Sequence, residues 1–361
     1  MTTLHTAYRW HRPLMALAAA MAVLTVVGIV GMVVDDRVLT GLPIWDKPTK
    51  FAISIAIYAV AWAWLISQLR VQRRRAWWAG TISAAFLAVE VVVIVTQVVR
   101  GTTSHFNNAT TFDAVMWRAM GISIVIVWLA TLYVCAQLFR RRDGEPARTL
   151  AIRAGSVLAL IGMALGFLMT VPTAAQIAEG GDIIGAHSVG LADGGPGLAL
   201  LGWSTVGGDL RIPHFVGMHA LQAIPLVLVA LELLAPRVPA LASSPVRRRL
   251  VWVATGAYTG LLAVLTWQAL RGQPVVAPDA ATLTAAGAVL VATVVAAALA
   301  LRAGRDDPAP VAVPAEAGAR AGAEPDLLLV DVHGHVPGAG DSSVTTLESS
   351  RASIPAACPN R

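Results

Sequence analysis

Again and again along this chain, a run of about twenty apolar residues follows a short polar connection, and that spacing constrains the fold more than any motif. The runs fall near residues 13–34, 50–68, 77–99, 115–138, 151–172, 213–235, 249–271 and 281–302. At a rise of about 1.5 Å per residue, each spans the roughly 30 Å hydrocarbon layer of a bilayer. Inside hydrocarbon, a spanning segment must satisfy its own backbone hydrogen bonds. Because these runs lack the alternation of a barrel strand, each is expected to be a helix. The expected fold is therefore an all-α, polytopic membrane bundle of about eight transmembrane helices. With 56% hydrophobic and only 13% charged residues, the chain could not fold as a soluble domain without exposing large apolar surface.

The net charge of +6 does not point to nucleic acid, because the cations sit in short clusters between apolar runs and form no single basic face. Those clusters set the expected orientation instead. One set of helix ends carries Arg9 and Arg12, Arg70 and Arg73–Arg75, Arg140–Arg142 with Arg148 and Arg153, Arg237 with Arg247–Arg249, and Arg302 with Arg305. The opposite ends carry fewer cations, mixed with acids such as Asp35, Asp113, Asp193, Asp209 and Asp279. The positive-inside rule then puts the arginine-rich ends, and both termini, in the cytoplasm of a cell membrane. The first run follows Arg9 and Arg12 as a signal peptide would, but it is long, has no clear small-x-small cleavage site and precedes further spans, so it is expected to stay as a helix. Residues 1–302 form the expected transmembrane domain. Residues 303–361, rich in Pro, Ala, Gly and Ser, are expected to be a disordered cytoplasmic tail; its island Leu327–Val332 with His333 and His335 is expected to be a solvated or transiently docked segment. Cys135 and Cys358 form no paired motif, so the redox compartment is not legible.

The unusual residues gather at the arginine-poor ends. The first connection there reads Gly41 to Lys50, the second Gln97 to Asn107, and the third is a glycine-rich stretch of about 40 residues closing with Gly207 to His219. A connection that long is uncommon unless functional or disordered, and its Leu198, Leu200, Leu201 and Trp203 predict a lid over the bundle. His105 and His187 lie in these loops. His214 opens the sixth span, and His219 stands about 7 Å deeper. On a continuous helix His214 and His219 would diverge by roughly 140°, whereas His219 and Gln222 share a face. Each histidine alone is most simply a packing residue; their gathering at one side makes them candidate cofactor ligands. Glu90 stands in the middle of the third span, roughly 15 Å from Arg100, and a carboxyl at that depth must be neutral, paired or in a watery cavity. Gln97 lies on nearly the same face. A protonated Glu90 bonded between helices is the structural alternative to a proton or ion role.

The third span closes with Gln97-Val-Val-Arg100-Gly101 and the seventh with Gln268-Ala-Leu-Arg271-Gly272. That match suggests two four-helix halves in parallel duplication, and it would bring Arg100 and Arg271 to equivalent depths around a cavity suited to an amphipathic anionic small molecule. The segments Lys47–Phe51 (KPxKF), Arg100–Asn107 (RGxxSHFN) and Gly208–Gln222 (GDLRxPHFxGxHALQ) resemble those of a group of bacterial multi-pass membrane proteins to which no activity is assigned. The arrangement also has a fainter similarity to haem A synthase, whose third and seventh helices end with Gln and Gly and whose haem sites lie toward the outer face. That family places ligand histidines on even-numbered helices, and here the second, fourth and eighth have none.

Three functional expectations remain. The first is a cofactor-holding protein, with haem, a quinone-like group or a metal near the outer face, held by His105, His187, His214 or His219 with Arg100 and Arg271 facing anionic groups. The second is a proton-coupled transporter using Glu90 and Gln97. The third is a non-catalytic sensor or assembly protein. No Walker loop, nucleophile elbow, HExxH or Rossmann glycine pattern is present, which argues against an ATPase, a serine hydrolase, a zinc protease and a nucleotide-dependent dehydrogenase. The sequence names no catalytic residue, specific metal ligand or protein partner.

Overall fold

A computed structural model describes residues 8–69, 72–140 and 144–304 of the 361. The described part is an all-α bundle. Helix α1 covers Arg12–Val34, a small hairpin of β1 (Val38–Leu39) and β2 (Leu42–Pro43) follows, and then come α2 (Asp46–Ser67), α3 (Arg73–Arg100) and α4 (Thr111–Arg140). Helix α5 (Pro146–Leu165) runs on through a 3-10 turn into the short α6 (Ala174–Glu179). Helices α7 (Arg211–Met218) and α8 (Ala220–Leu234) form one broken span, followed by α9 (Ser244–Leu270) and α10 (Ala280–Ala303). Among the described residues, seven spans are long and apolar enough to cross a membrane, and eight if the bent pair is one, so the chain is organised as a multi-pass membrane protein. The proposed tail begins where α10 ends; from residue 305 it lies outside the described residues.

Sequence punctuation sets the helix ends. His11 caps α1, its Nδ1 accepting from Leu14 N at 3.3 Å, with Pro13 in the first turn. Asp279 caps α10 by accepting from Thr282 N at 2.8 Å. Gly101, at φ 74°, closes α3 in the left-handed region that a side chain would strain. The apolar pattern is inverted relative to a soluble protein. Val23, Val26, Val30 and Val33 of α1 and Leu290, Val291, Val294 and Val295 of α10 point outward, an arrangement that only a lipid surround leaves without penalty.

Packing forms two main cores. Leu14, Ala52, Trp62, Ala76, Leu87, Val127 and Val134 make one core among α1–α4, whereas Ala147, Ala151, Leu158, Ala220, Ile224, Val251 and Leu262 make another among α5, α8 and α9. Helix α5 joins them, since Ile152 and Ala159 pack into the first core. The approach of α5 to α7 depends on glycine. A Cβ on Gly162 would stand 2.2 Å from the Gly217 carbonyl carbon, so the backbones touch there directly.

The sixth span is not the continuous helix that its hydropathy predicts; it bends by 46° at His219. Tyr258 of α9 donates to Val216 O at 2.5 Å, and Val216 O is the carbonyl that an unbroken helix would offer to Ala220 N. A side chain inserted into the hydrogen-bond ladder is a recognised origin of such a bend.

The loop-bearing connections meet at one end of the bundle. Arg37 donates to Val98 O at 3.1 Å, Asn108 N to Asp182 O at 2.6 Å and Lys50 Nζ to Leu201 O at 3.0 Å. At the other, arginine-rich end, Arg148 pairs with Glu232 at 3.2 Å and Glu145 bonds Ser244.

Candidate functional site at the loop end

The long third connection does fold over the bundle, and its backbone is tied down on both sides. Ile184 N donates to Phe106 O at 2.8 Å, Ala186 N to Met169 O at 3.0 Å, Val189 N to Gly208 O at 2.8 Å and Leu210 N to His187 O at 2.9 Å. Asp209, 1% exposed, holds its far end by accepting from Ser204 N at 2.8 Å and from the Arg211 guanidinium at 2.5 Å. The second connection is organised by Asn107, whose amide donates to Thr102 Oγ1 at 3.1 Å and Thr103 O at 3.0 Å while its Oδ1 accepts from Ala109 N at 3.0 Å.

Together these loops direct two histidines inward. The His105 ring is enclosed by Trp117 at 5.3 Å, Phe51 at 5.6 Å and Phe106 at 5.9 Å, with His187 at 6.4 Å between centroids. Phe106 also packs edge-on against His187 at 4.9 Å. Asp193 clasps His187 twice, accepting from its backbone N at 3.0 Å and meeting its Nδ1 at 2.5 Å. Burial lowers the His187 pKa, and the Asp193 contact only partly offsets it. Burial works against ionisation of Asp193, but the His187 hydrogen bond and charge outweigh it, so this carboxyl lies below its ordinary range. Burial, and then the charge of Lys47, hold His105 well below 6.5.

Beneath this roof lie Lys47 and Glu90. Lys47, in the first turn of α2, makes no hydrogen bond or ion pair among the described residues, and it stands within electrostatic reach of Asp193 and Arg211 above and Glu90 below. Glu90 is 2% exposed, and its Oε2 has no hydrogen-bond partner among the described residues. His214, whose Nδ1 meets Gly162 O at 2.7 Å, lies within charge range of His105 and His187.

The other expected residues are placed differently. Gln97 is fully buried and donates to Asp113 Oδ1 at 2.7 Å, and Arg100 binds both Gln97 Oε1, at 2.6 Å, and Asp113 while lying over the Phe112 ring. Arg271 pairs with Asp279 and lies over Trp267. Each arginine therefore bonds the acid at the start of the helix that follows it. His219 sits at the bend, against Phe215 at 4.4 Å and within reach of the Gln222 side chain; its Nε2 and Gln222 Oε1 are both buried and make no well-aligned hydrogen bond among the described residues. The structure thus groups His105, His187 and His214 at the loop end, with Lys47 in charge range of His105, His187 and Glu90, and engages Arg100 and Arg271 elsewhere.

Sequence reasoning passed over Lys47 and Asp193 as site residues. Lys47 had a signal, being a cation beside Pro48 at an end where cations are few; Asp193 sits in a glycine run that gives none. Among the described residues, no group of three or more His, Cys, Asp or Glu is arranged to hold a metal ion. Phe51, Trp117 and Phe106 pack around the His105 and His187 rings. Comparisons with known protein families, curated proteins and solved structures give no match.

Proposed function

We propose that this protein handles protons across a cell membrane, as a proton-coupled transporter or conduit in which Glu90 is the proton-binding group, served from the loop end by Lys47, His105 and the His187–Asp193 pair. The observation that carries the reading is Glu90 itself, a carboxyl at mid-span, 2% exposed, with one oxygen lacking a partner and with Lys47 as its charge neighbour. Isolated carboxyls at such depth are costly and mark ion or proton paths. Lys47 links this group to the histidines above it. In this reading the arginine-rich end faces the cytoplasm and the roof faces outward, an orientation that the distribution of cations supports.

A second reading rests on a different observation. The buried His219 and Gln222 side chains, side by side at the bend of the sixth span, would suit a small amphipathic ligand, because broken spans expose groups that can hold a substrate.

The test uses purified full-length protein in liposomes carrying an internal pH-sensitive dye. An imposed pH gradient should collapse faster than in empty vesicles, and Glu90→Gln, which keeps the shape but not the acidity, should slow that collapse by at least about tenfold. A Glu90→Gln protein that matches the wild type would overturn the proposal.

A further inference from the structure

Helix α3 presents a second polar position on the Glu90 face. Ser83, Glu90 and Gln97 recur at seven-residue spacing, and all are buried, at 3%, 2% and 0% exposure. Ser83 therefore lies about 10 Å from Glu90 toward the arginine-rich end. There it meets the side chains of two other helices. Tyr58 Oη of α2 lies 2.9 Å from Thr131 Oγ1 of α4, and the Ser83 hydroxyl is within hydrogen-bonding reach of the same Tyr58 oxygen. Thr131 donates its own proton to Val127 O at 2.8 Å, which fixes the direction of the contact: Tyr58 donates to Thr131, and its lone pairs remain open on the Ser83 side.

These hydroxyls line a narrow void with Leu14, Trp62 and Gly80, and the void is too tight to admit a water molecule. Its far wall touches a histidine. A Cβ on Gly80 would come within 2.8 Å of His11 Nε2, and His11 is 1% exposed at the arginine-rich end of α1. Its ring donates to Trp77 O at 2.8 Å and accepts from Leu14 N at 3.3 Å, the amide of a residue that itself lines the void. A set of hydroxyls from three helices, below Glu90 and ending near a histidine, is a route. Its dry middle is a barrier.

We propose that Ser83 and Tyr58, steadied by Thr131 and leading toward His11, form the arginine-end half of the proton path, with the void at Tyr58 as its gate. The inference rests on the reading of Glu90 as the proton-binding group. When the void widens, water bridges Glu90 to Ser83 and Tyr58 to His11. A proton leaves the Glu90 carboxyl; each intervening oxygen takes one proton and gives one up, and His11 Nδ1 gains the last in exchange for its contact with Leu14 N. Only Glu90 ends one proton poorer and only His11 one richer. In the closed arrangement the break in the chain keeps the two sides of the membrane apart.

The liposome assay separates this path from the reading beneath it. Tyr58→Phe keeps the ring and removes only the hydroxyl, and Ser83→Ala removes the other; each should slow Glu90-dependent collapse of the gradient by at least about tenfold. Leu14→Ala, which widens the void, should raise the passive proton leak. Should either hydroxyl variant lose its folded elution profile, Thr131→Val supplies the same break from α4. If Glu90→Gln abolishes flux while Tyr58→Phe and Ser83→Ala run at the wild-type rate, the path is wrong and the role of Glu90 stands. If Leu14→Ala leaves the leak unchanged, the void is not the gate. The absence of any Glu90-dependent flux overturns both the path and the reading it rests on.

Discussion

Replacing Gly162 with alanine probes the crossing of α5 and α7, the point that sets where His214 stands. The new Cβ would lie 2.2 Å from Gly217 C and 2.3 Å from Met218 N, and both are backbone atoms that cannot rotate aside. Carbon pairs settle at about 3.5–4.0 Å, so the helices must part by roughly 1.5 Å. Strain of that kind costs about 1–3 kcal/mol. The contact of His214 Nδ1 with Gly162 O, 2.7 Å at present, would stretch past hydrogen-bonding range, at a cost of about 1 kcal/mol more. The expected loss is therefore about 2–4 kcal/mol, a fall of roughly 30- to 1,000-fold in the folding equilibrium. Denaturant titration in detergent micelles, followed by tryptophan fluorescence, would measure it. Gly121→Ala and Gly256→Ala are the controls, since nothing lies within 4 Å of a Cβ at either position. These should be neutral or more stable by up to about 1 kcal/mol, the gain in helix propensity from Gly to Ala. A Gly162→Ala protein as stable as its controls would refute the close crossing.

Two further outcomes follow from the roof and the cation pattern. His187 titrates below its ordinary 6.5 and Asp193 below its ordinary 3.8, so both contribute stability in full above those values and lose it as pH falls through the lowered ones. Acidification below about pH 6.5 should therefore loosen the roof before the helices, seen as faster hydrogen exchange at the His187 and Leu210 amides; equal protection at neutral and mildly acid pH would count against the clasp. For orientation, a reporter inserted near Gly180 should be active only as an external marker and one fused after Arg305 only as a cytoplasmic one, and the reverse pattern would invert the proposed topology.

Hydropathy located every span because hydrocarbon demands the same length and composition of each, whatever its neighbours are. The bend at His219 was not legible, since it depends on Tyr258 of another helix reaching Val216 O. The gathering of histidines at one end was readable from the loops, but their partners were not. His187 meets Asp193 only because the third connection turns back on itself, and His105 is enclosed by rings from α2 and α4 that its own segment does not announce. Arg100 and Arg271 looked like a ring of free cations because periodicity places residues along one helix and cannot show what crosses a turn. Asp113 and Asp279 wait at the start of the next helix in each case.

Those two ion pairs also say something about the order in which the molecule is built. Arg100 and Asp113 are 13 residues apart, and Arg271 and Asp279 only eight, so each helical hairpin carries its own fastener within a short stretch of chain. Contacts this local close early, as soon as both strands of a hairpin have left the ribosome. The roof is the opposite case, for Lys50 must find Leu201 across 151 residues. An arrested chain ending before the sixth span would therefore hold its α3–α4 hairpin shut while the loop end was still uncovered, and the closing of the roof would be among the last events of assembly.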